Sequence, residues 1–175
     1  MRLERPTARR RAEFLAAVRR SQRLHVPWVS PPASAAAYAA YLRRLRRRRH
    51  VGHLVCRRDT GEIVGVVNIS EIVGGVFRSG YLGYYAFVPH AGHGLMREGL
   101  SLVITEAFRR RRLHRLEANI QPANRRSIRL VGAWASVVKA SPGATSGSSG
   151  DGATTSAGRS SRRRGARAAR ASSPA

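Results

Sequence analysis

Residues 81–131 read YLGYYAFVPHAGHGLMREGLSLVITEAFRRRRLHRLEANIQPANRRSIRLV. The order is an apolar strand, a glycine-bearing turn, an amphipathic helix, a second strand and the start of another helix. The spacing predicts a strand over Arg78 to Phe87 and a helix over Gly92 to Arg110 with Leu95, Leu102 and Val103 along one face. Arg115 to Ile120 alternates Leu116, Ala118 and Ile120 against Glu117 and Asn119, the signature of a strand with one better-buried face. Pro122 interrupts, and Asn124 or Arg125 opens the next helix. In Pro89-His90-Ala91-Gly92-His93-Gly94-Leu95 the two glycines let a ligand approach the backbone with no Cβ in the way. Free N–H groups where the turn enters the helix suit a phosphate.

Working outward, Phe14, Leu15 and Val18 recur at helical spacing within Ala8 to Ser21. Pro27, Trp28, Pro31 and Pro32 break that helix. Ser34 is the expected N-cap of a second one, carrying Tyr38, Tyr41, Leu42 and Leu45. Its basic end, Arg46 to Arg49, reads either as a solvated terminus favoured by the macrodipole or as an RNA contact. His53 to Arg58, the turn Asp59-Thr60-Gly61 and Glu62 to Ile69 form an expected hairpin, and Gly74-Gly75 mark another turn. The fold class this implies is α+β: a mixed sheet with helices packed against it.

The 175 residues hold 33 Lys+Arg against 9 Asp+Glu, a net charge of +24, with 42% hydrophobic residues. A core is available, and the charge points either to a phosphate-bearing partner or to a GC-rich coding sequence that accumulates arginine. Cys56 is the only cysteine and lies in an apolar run, which excludes a disulfide framework and reads as buried filler. His90, His93 and His114 have no carboxylate or cysteine cluster around them, so no metal site is expected. The absence of an apolar leader or a bilayer-length run gives a cytoplasmic expectation.

The segments LGYYAFVPHAGHGLMREGL and HRLEANIQPANRRSI, with PWVSPP upstream, resemble the GNAT superfamily of acetyl-CoA-dependent N-acetyltransferases. Within it they are most similar to the RimJ/RimL type, the ribosomal-protein-alanine N-acetyltransferases. The resemblance covers Arg5 to Val131 and implies a splayed sheet with helices on both faces, pantetheine entering between Tyr81–Val88 and Arg115–Ile120. Carried over by position, it implies that the backbone of Phe87 and Val88 pairs with pantetheine. The N–H groups of Gly92, His93, Gly94 and Leu95 would hold the pyrophosphate, and Asn124 the cofactor arm. Ser127 matches the serine that protonates the departing thiolate. Pro89 departs from the pattern: a residue that donates a hydrogen bond often stands there, and a proline cannot. The implied co-substrate is acetyl-CoA, with no metal, and the implied acceptor is an amine, above all a protein N-terminus such as that of a ribosomal protein.

Amine attack on a thioester needs a base and donors facing the developing oxyanion. Glu71 and Glu117 are the base candidates, directly or through water, each set against a reading as a surface carboxylate among arginines. Tyr84 and Tyr85 could offer a phenol, although alternation buries one of them. A non-catalytic, basic protein associated with nucleic acid or the ribosome is the competing reading.

Residues 1–132 form the expected acetyltransferase domain, and 133–175 a Ser/Gly/Ala/Arg-rich tail expected to be disordered, with the C-terminal strands of the family missing. The reading expects an out-of-frame ending. Written as GGC GCC TGG GCT TCC, Gly132 to Ser136 read from the third base give arginine, leucine, glycine and phenylalanine, a family-like ending. The reading expects activity impaired by the altered C-terminus. Seven of the 33 basic residues and one of the nine acidic ones lie in 133–175, so residues 1–132 still carry +18.

Overall fold

The computed structural model describes residues 1–134 and 138–142. Six strands form one sheet in the order β1-β2-β3-β4-β5-β6. They are β1 (Arg2–Glu4), β2 (Val51–Cys56), β3 (Ile63–Val73), β4 (Ser79–Ala86), β5 (Arg115–Ile120) and β6 (Val138–Pro142). The helices are α1 (Arg11–Arg20), α2 (Gln22–His25), α3 (Ala35–Leu45), α4 (Leu95–Arg109) and α5 (Arg125–Gly132). The α+β reading and its splayed mixed sheet stand. Two additions come from the structure. The strand β1 is too short to show a period, and β6 lies inside the segment read as tail. The remainder of 133–175, apart from Ala133 and Trp134, is outside the described residues, as is the outcome of the frame reading there.

The strands β1 to β4 pair antiparallel, through Leu3↔Val55, Leu54↔Val66 and Val67↔Tyr84. Helices α1 and α3 cover one face of the sheet, burying Phe14, Tyr38 and Tyr41 against Leu54, Val66, Tyr85 and Phe87. The second face is covered by α4, whose Met96, Leu100, Val103, Ile104 and Ala107 pack on Val55, Val67 and Leu116. The burial pattern of β5 follows the alternation seen in the sequence, with Leu116, Ala118 and Ile120 buried in that second core.

Two glycines set how closely α4 lies on the sheet. A Cβ on Gly99 would sit 2.4 Å from Val55 Cγ1. One on Gly65 would sit 2.4 Å from Met96 Sδ and 2.5 Å from the Tyr85 carbonyl oxygen. The absence of both side chains draws the first half of α4 down onto β2 and β3.

An opening in the sheet is the feature that matters. Strands β4 and β5 are parallel and paired only at Ser79↔Arg115, Gly80↔Leu116 and Tyr81↔Glu117. Beyond Tyr81 the ladder ends while both strands continue, to Ala86 and Ile120. The sheet therefore forks, leaving one edge of each strand's outer half without a neighbouring strand between them. No helix among the described residues is long and apolar enough to cross a membrane.

Candidate functional site

A cleft of about 1770 Å³ fills the fork. Residues 82–86 of β4 and Asn119, Ile120 and Gln121 at the end of β5 form its walls. The glycine turn and the start of α4 reach it through Gly92, Gly94, Met96 and Arg97, and α5 through Asn124 and Ser127. From the opposite face of the sheet come His25, Trp28 and Ser30. The cleft thus passes through the sheet, so two molecules entering from opposite faces can meet beside β4.

The turn does what its glycines predict. Gly92 has φ 89° and Gly94 φ 78°, both in the left-handed region. Gly94 is the N-cap of α4 and makes no side-chain cap. Its carbonyl takes the N–H of Arg97 at 2.9 Å, while residues 92–94 are exposed. The first N–H groups of a 15-residue helix therefore face the cleft with the positive end of the helix dipole behind them.

Five arginines line the same cleft: Arg23, Arg97, Arg125, Arg126 and Arg129. No carboxylate lines it, and none of the five joins an ion pair among the described residues. The field there is strongly positive and suits a polyanion.

The sequence-predicted residues divide accordingly. Gly92, Gly94, Asn124 and Ser127 come together in the cleft, with exposed His93 and the first helical residue Leu95 between and beside the glycines. Asn124 is the N-cap of α5, its Oδ1 accepting from the Ser127 N–H at 3.1 Å, which leaves both hydrogens of its amide N–H₂ for a ligand. The Ser127 carbonyl accepts from the Tyr84 hydroxyl at 3.0 Å, which ties α5 to β4, while Tyr85 is buried among Phe87 and His25. Burial pushes the Tyr84 phenol up to about 12 and that of Tyr85 well above its ordinary value, so both stay neutral hydroxyls.

Phe87 and Val88 need a correction. The Phe87 N–H donates to the Val64 carbonyl at 2.8 Å, pointing into β3 and away from the fork. The Val88 N–H donates to Ser21 Oγ at 3.0 Å. Both donors expected to pair with pantetheine are already engaged. In an antiparallel ladder alternate residues turn their backbone groups to opposite edges. Because Phe87 faces β3, the residues presenting N–H and C=O to the fork are Ala86, Tyr84 and Leu82. A sequence shows alternation but not its parity, hence the one-residue error.

The two glutamates are not in the cleft. Glu71, at φ 49°, pairs with Arg49 at 2.9 Å and His50 at 3.7 Å near the closed end of the sheet. It is the surface carboxylate of the alternative reading. Glu117 stands at the last paired position, opposite Tyr81, and holds Arg115 at 2.6 Å. Cys56 is fully buried and its thiol is pushed up to about 11 by desolvation, as a filler's would be. His90 lies 3.7 Å from Glu62.

One cleft residue escaped the sequence reading. His25, at the end of α2, is 4% exposed, and its Nε2 lies 2.8 Å from the Ala86 carbonyl oxygen. Desolvation lowers its pKa, an effect only partly offset by that hydrogen bond. A lone histidine in an arginine-rich helix shows no pattern; its nearness to the PWVSPP segment was the one available signal.

Comparison with known proteins agrees with this geometry. Residues 1–133 match the acetyltransferase (GNAT) domain family. A probable N-acetyltransferase of Bacillus subtilis, YjcK, is 30% identical over 91 residues, covering 52% of this chain and 50% of that protein. The [ribosomal protein uS5]-alanine N-acetyltransferase of Escherichia coli is 44% identical over 69 residues, 39% of this chain and 36% of its own. The matches thus span half or less of these curated relatives. Mycobacterium smegmatis RimJ in complex with CoA-disulfide shares the fold at a TM-score of 0.67 and 22% identity, over 74% of this chain and 66% of that one. The chain belongs to the GNAT acetyltransferase domain family.

Proposed function

We propose, on the premise of that membership, that the protein transfers the acetyl group of acetyl-CoA to an amine, with a protein N-terminal amine of the ribosomal-protein-alanine type as acceptor. The observation that carries it is the forked sheet set beside a helix start with no side-chain cap and five unpaired arginines. Residues 92–95 hold the diphosphate on their N–H groups. Pantetheine adds itself to the open edge of β4 at Tyr84 and at the Ala86 N–H, as a strand would, the Ala86 carbonyl being taken by His25. The Asn124 amide N–H₂ donates to the cofactor arm, and Ser127 Oγ faces the departing sulfur. Neither Glu71 nor Glu117 lines the cleft, so this scheme leaves the base unassigned.

The chemistry asks little else. Holding thioester and amine in line supplies much of the rate, and fixed N–H donors stabilise the oxyanion. No metal takes part in this scheme.

Calorimetric titration of the full chain with CoA, followed by mass spectrometry of an alanine-starting peptide incubated with acetyl-CoA, tests the reading. We expect micromolar-range heat and an acetyl group on the peptide's α-nitrogen. Absence of any heat with CoA overturns it.

A second reading is favoured by Arg46 to Arg48, exposed beyond α3 and remote from the cleft: a nucleic-acid contact without catalysis. RNA affinity falling steeply with salt, together with no response to CoA, would favour that reading instead.

A further inference from the structure

We propose that His25 is the general base of the transfer, its Nδ1 taking the proton of the acceptor amine while the Ala86 carbonyl holds the ring in place. The inference rests on the acetyl-transfer reading above and names the group that reading lacks.

The geometry begins at the backbone. Ala86 turns its C=O away from β3, toward the fork, and His25 Nε2 meets that oxygen at 2.8 Å. A carbonyl oxygen can only accept, so Nε2 carries the hydrogen and Nδ1 carries the lone pair. Nδ1 has no protein partner among the described residues, yet it is not sealed from solvent, and the residue lines the cleft. The contrast with His50 and His53 is informative, since in both of those Nδ1 is buried without a partner. The ring of His25 is further fixed edge-on against Tyr85 at 5.4 Å and Phe87 at 5.8 Å between centroids. A basic nitrogen is thus held beside the strand edge along which the thioester lies.

The competing bases are excluded by position. No carboxylate lines the cleft; Glu117 is bound to Arg115 at the closed end, and Glu71 to Arg49 outside the cleft. The phenols of Tyr84 and Tyr85 are too weakly acidic to ionise near neutrality.

In the step, the amine nitrogen attacks the thioester carbonyl carbon and the C–N bond forms. The nitrogen's proton passes to Nδ1, the C–S bond breaks, and sulfur leaves with the bonding pair. The thiolate takes the proton of the Ser127 hydroxyl, solvent at the cleft mouth restores that proton, and the imidazolium returns one to solvent. Amine plus thioester give amide plus thiol, with nothing left over.

Burial of the ring sets its protonation. Around it, from α2 comes Arg23, from across the cleft Arg97, Arg125, Arg126 and Arg129, and from β4 and the residue after it only the uncharged Tyr85 and Phe87 rings. Burial, only partly offset by the hydrogen bond to Ala86, lowers the pKa of the imidazole and keeps it neutral at pH 7, ready to accept a proton. A neutral imidazole suits an α-amino group, whose ordinary pKa is about 8, better than a lysine, at about 10.4.

The test compares wild type with His25→Gln in the full chain, using acetyl-CoA and an alanine-starting peptide. Glutamine can still donate to Ala86 but offers no basic nitrogen. We expect kcat to fall by about 10²- to 10⁴-fold, CoA affinity by calorimetry to stay within about threefold, and the acid limb of the kcat–pH profile to vanish. A variant that keeps its kcat, or keeps the acid limb, overturns the proposal. Wild type giving no heat with CoA brings down the acetyl-transfer reading, and this inference with it. ¹⁵N imidazole spectra of the wild-type protein decide the matter if the variant does not fold or the peptide is not turned over. An Nε2-protonated tautomer supports the assignment, and an Nδ1-protonated one overturns it.

Discussion

Two long-enough helices begin at the same cleft and begin differently. At the start of α5 the chain supplies its own acceptor, with Asn124 Oδ1 taking the Ser127 N–H at 3.1 Å. At the start of α4 it supplies none: Gly94 stands at the N-cap with φ 78° and no side chain. The chain can cap a helix when nothing else is to bind there, since Ser34 caps α3 in the same way as Asn124, accepting from the Ala37 N–H at 3.1 Å. Leaving the start of α4 bare, exposed and ringed by arginines forgoes only about a few tenths of a kcal/mol, because the N-cap is glycine. The difference is that one terminus is finished by the protein's own side chain, whereas the other leaves its N–H groups open to the ligand proposed above.

The largest effect should come from filling the bare terminus. Gly94→Val places a β-branched side chain at positive φ and beside the N–H groups. We expect CoA affinity to drop by about 30-fold, roughly 2 kcal/mol. Calorimetry on a variant shown by circular dichroism to be folded measures this. Unchanged affinity would mean that the two helix starts do not differ in the way argued here.

Next in size is Gly65→Val, which leaves both termini chemically intact but shifts one. Its Cβ meets the Tyr85 carbonyl at 2.5 Å, and backbone cannot swing aside as the Met96 thioether can. We expect destabilisation of about 1–3 kcal/mol in urea melts, with α4 lifted from the fork and CoA binding weakened in the folded fraction. Loss of stability with full CoA affinity would show that the seating of α4 is unimportant to the site.

Asn124→Ala reverses the first experiment. It should cost about 1 kcal/mol of stability by removing the cap, while Asn124→Asp, which keeps an acceptor, should cost less. If Asn124→Ala instead abolishes CoA binding and leaves stability untouched, Asn124 serves the ligand and not the helix.

How much of this could be read in the chain follows from the range of the forces involved. Strong periods and local punctuation were legible: β5 from its alternation, α4 from its apolar spacing although Leu102 of the expected face is exposed and Leu100 and Ile104 are buried instead, the Asp59-Thr60-Gly61 turn, the Ser34 cap and the glycine turn at 92–94. What depends on partners distant in sequence was not. The direction of the Phe87 N–H depends on its pairing with Val64, and the three residues of β1 become a strand only against Cys56, Val55 and Leu54. Glu71 looked like a base candidate until topology put it at the closed end with Arg49. His25 reaches Ala86 across 61 residues, and no local pattern encodes such a contact.

The smallest effect concerns protons. The pKa values of His25, His50 and His53 are all lowered, chiefly by burial; the carboxylates of Glu71 and Glu106 oppose this for His50 and His53, as the Ala86 carbonyl does for His25. Each therefore binds its proton more weakly folded than unfolded, where the ordinary value is 6.5. Above that value both states are neutral and the three side chains give stability no pH dependence. As pH falls through it, the unfolded state takes up protons first and stability declines. The urea midpoint of the ligand-free protein should accordingly be lower at pH 5.5 than at pH 7.5, a window above the range in which carboxylates ordinarily titrate. His25→Gln should remove one part of that slope and leave the parts due to His50 and His53. Saturating CoA should shrink the His25 part alone, because its phosphates face the fork, whereas His53 lies sealed beside Glu106. A slope that CoA leaves untouched would place the anion away from His25 and weaken the link between the bare helix start and the imidazole across the cleft.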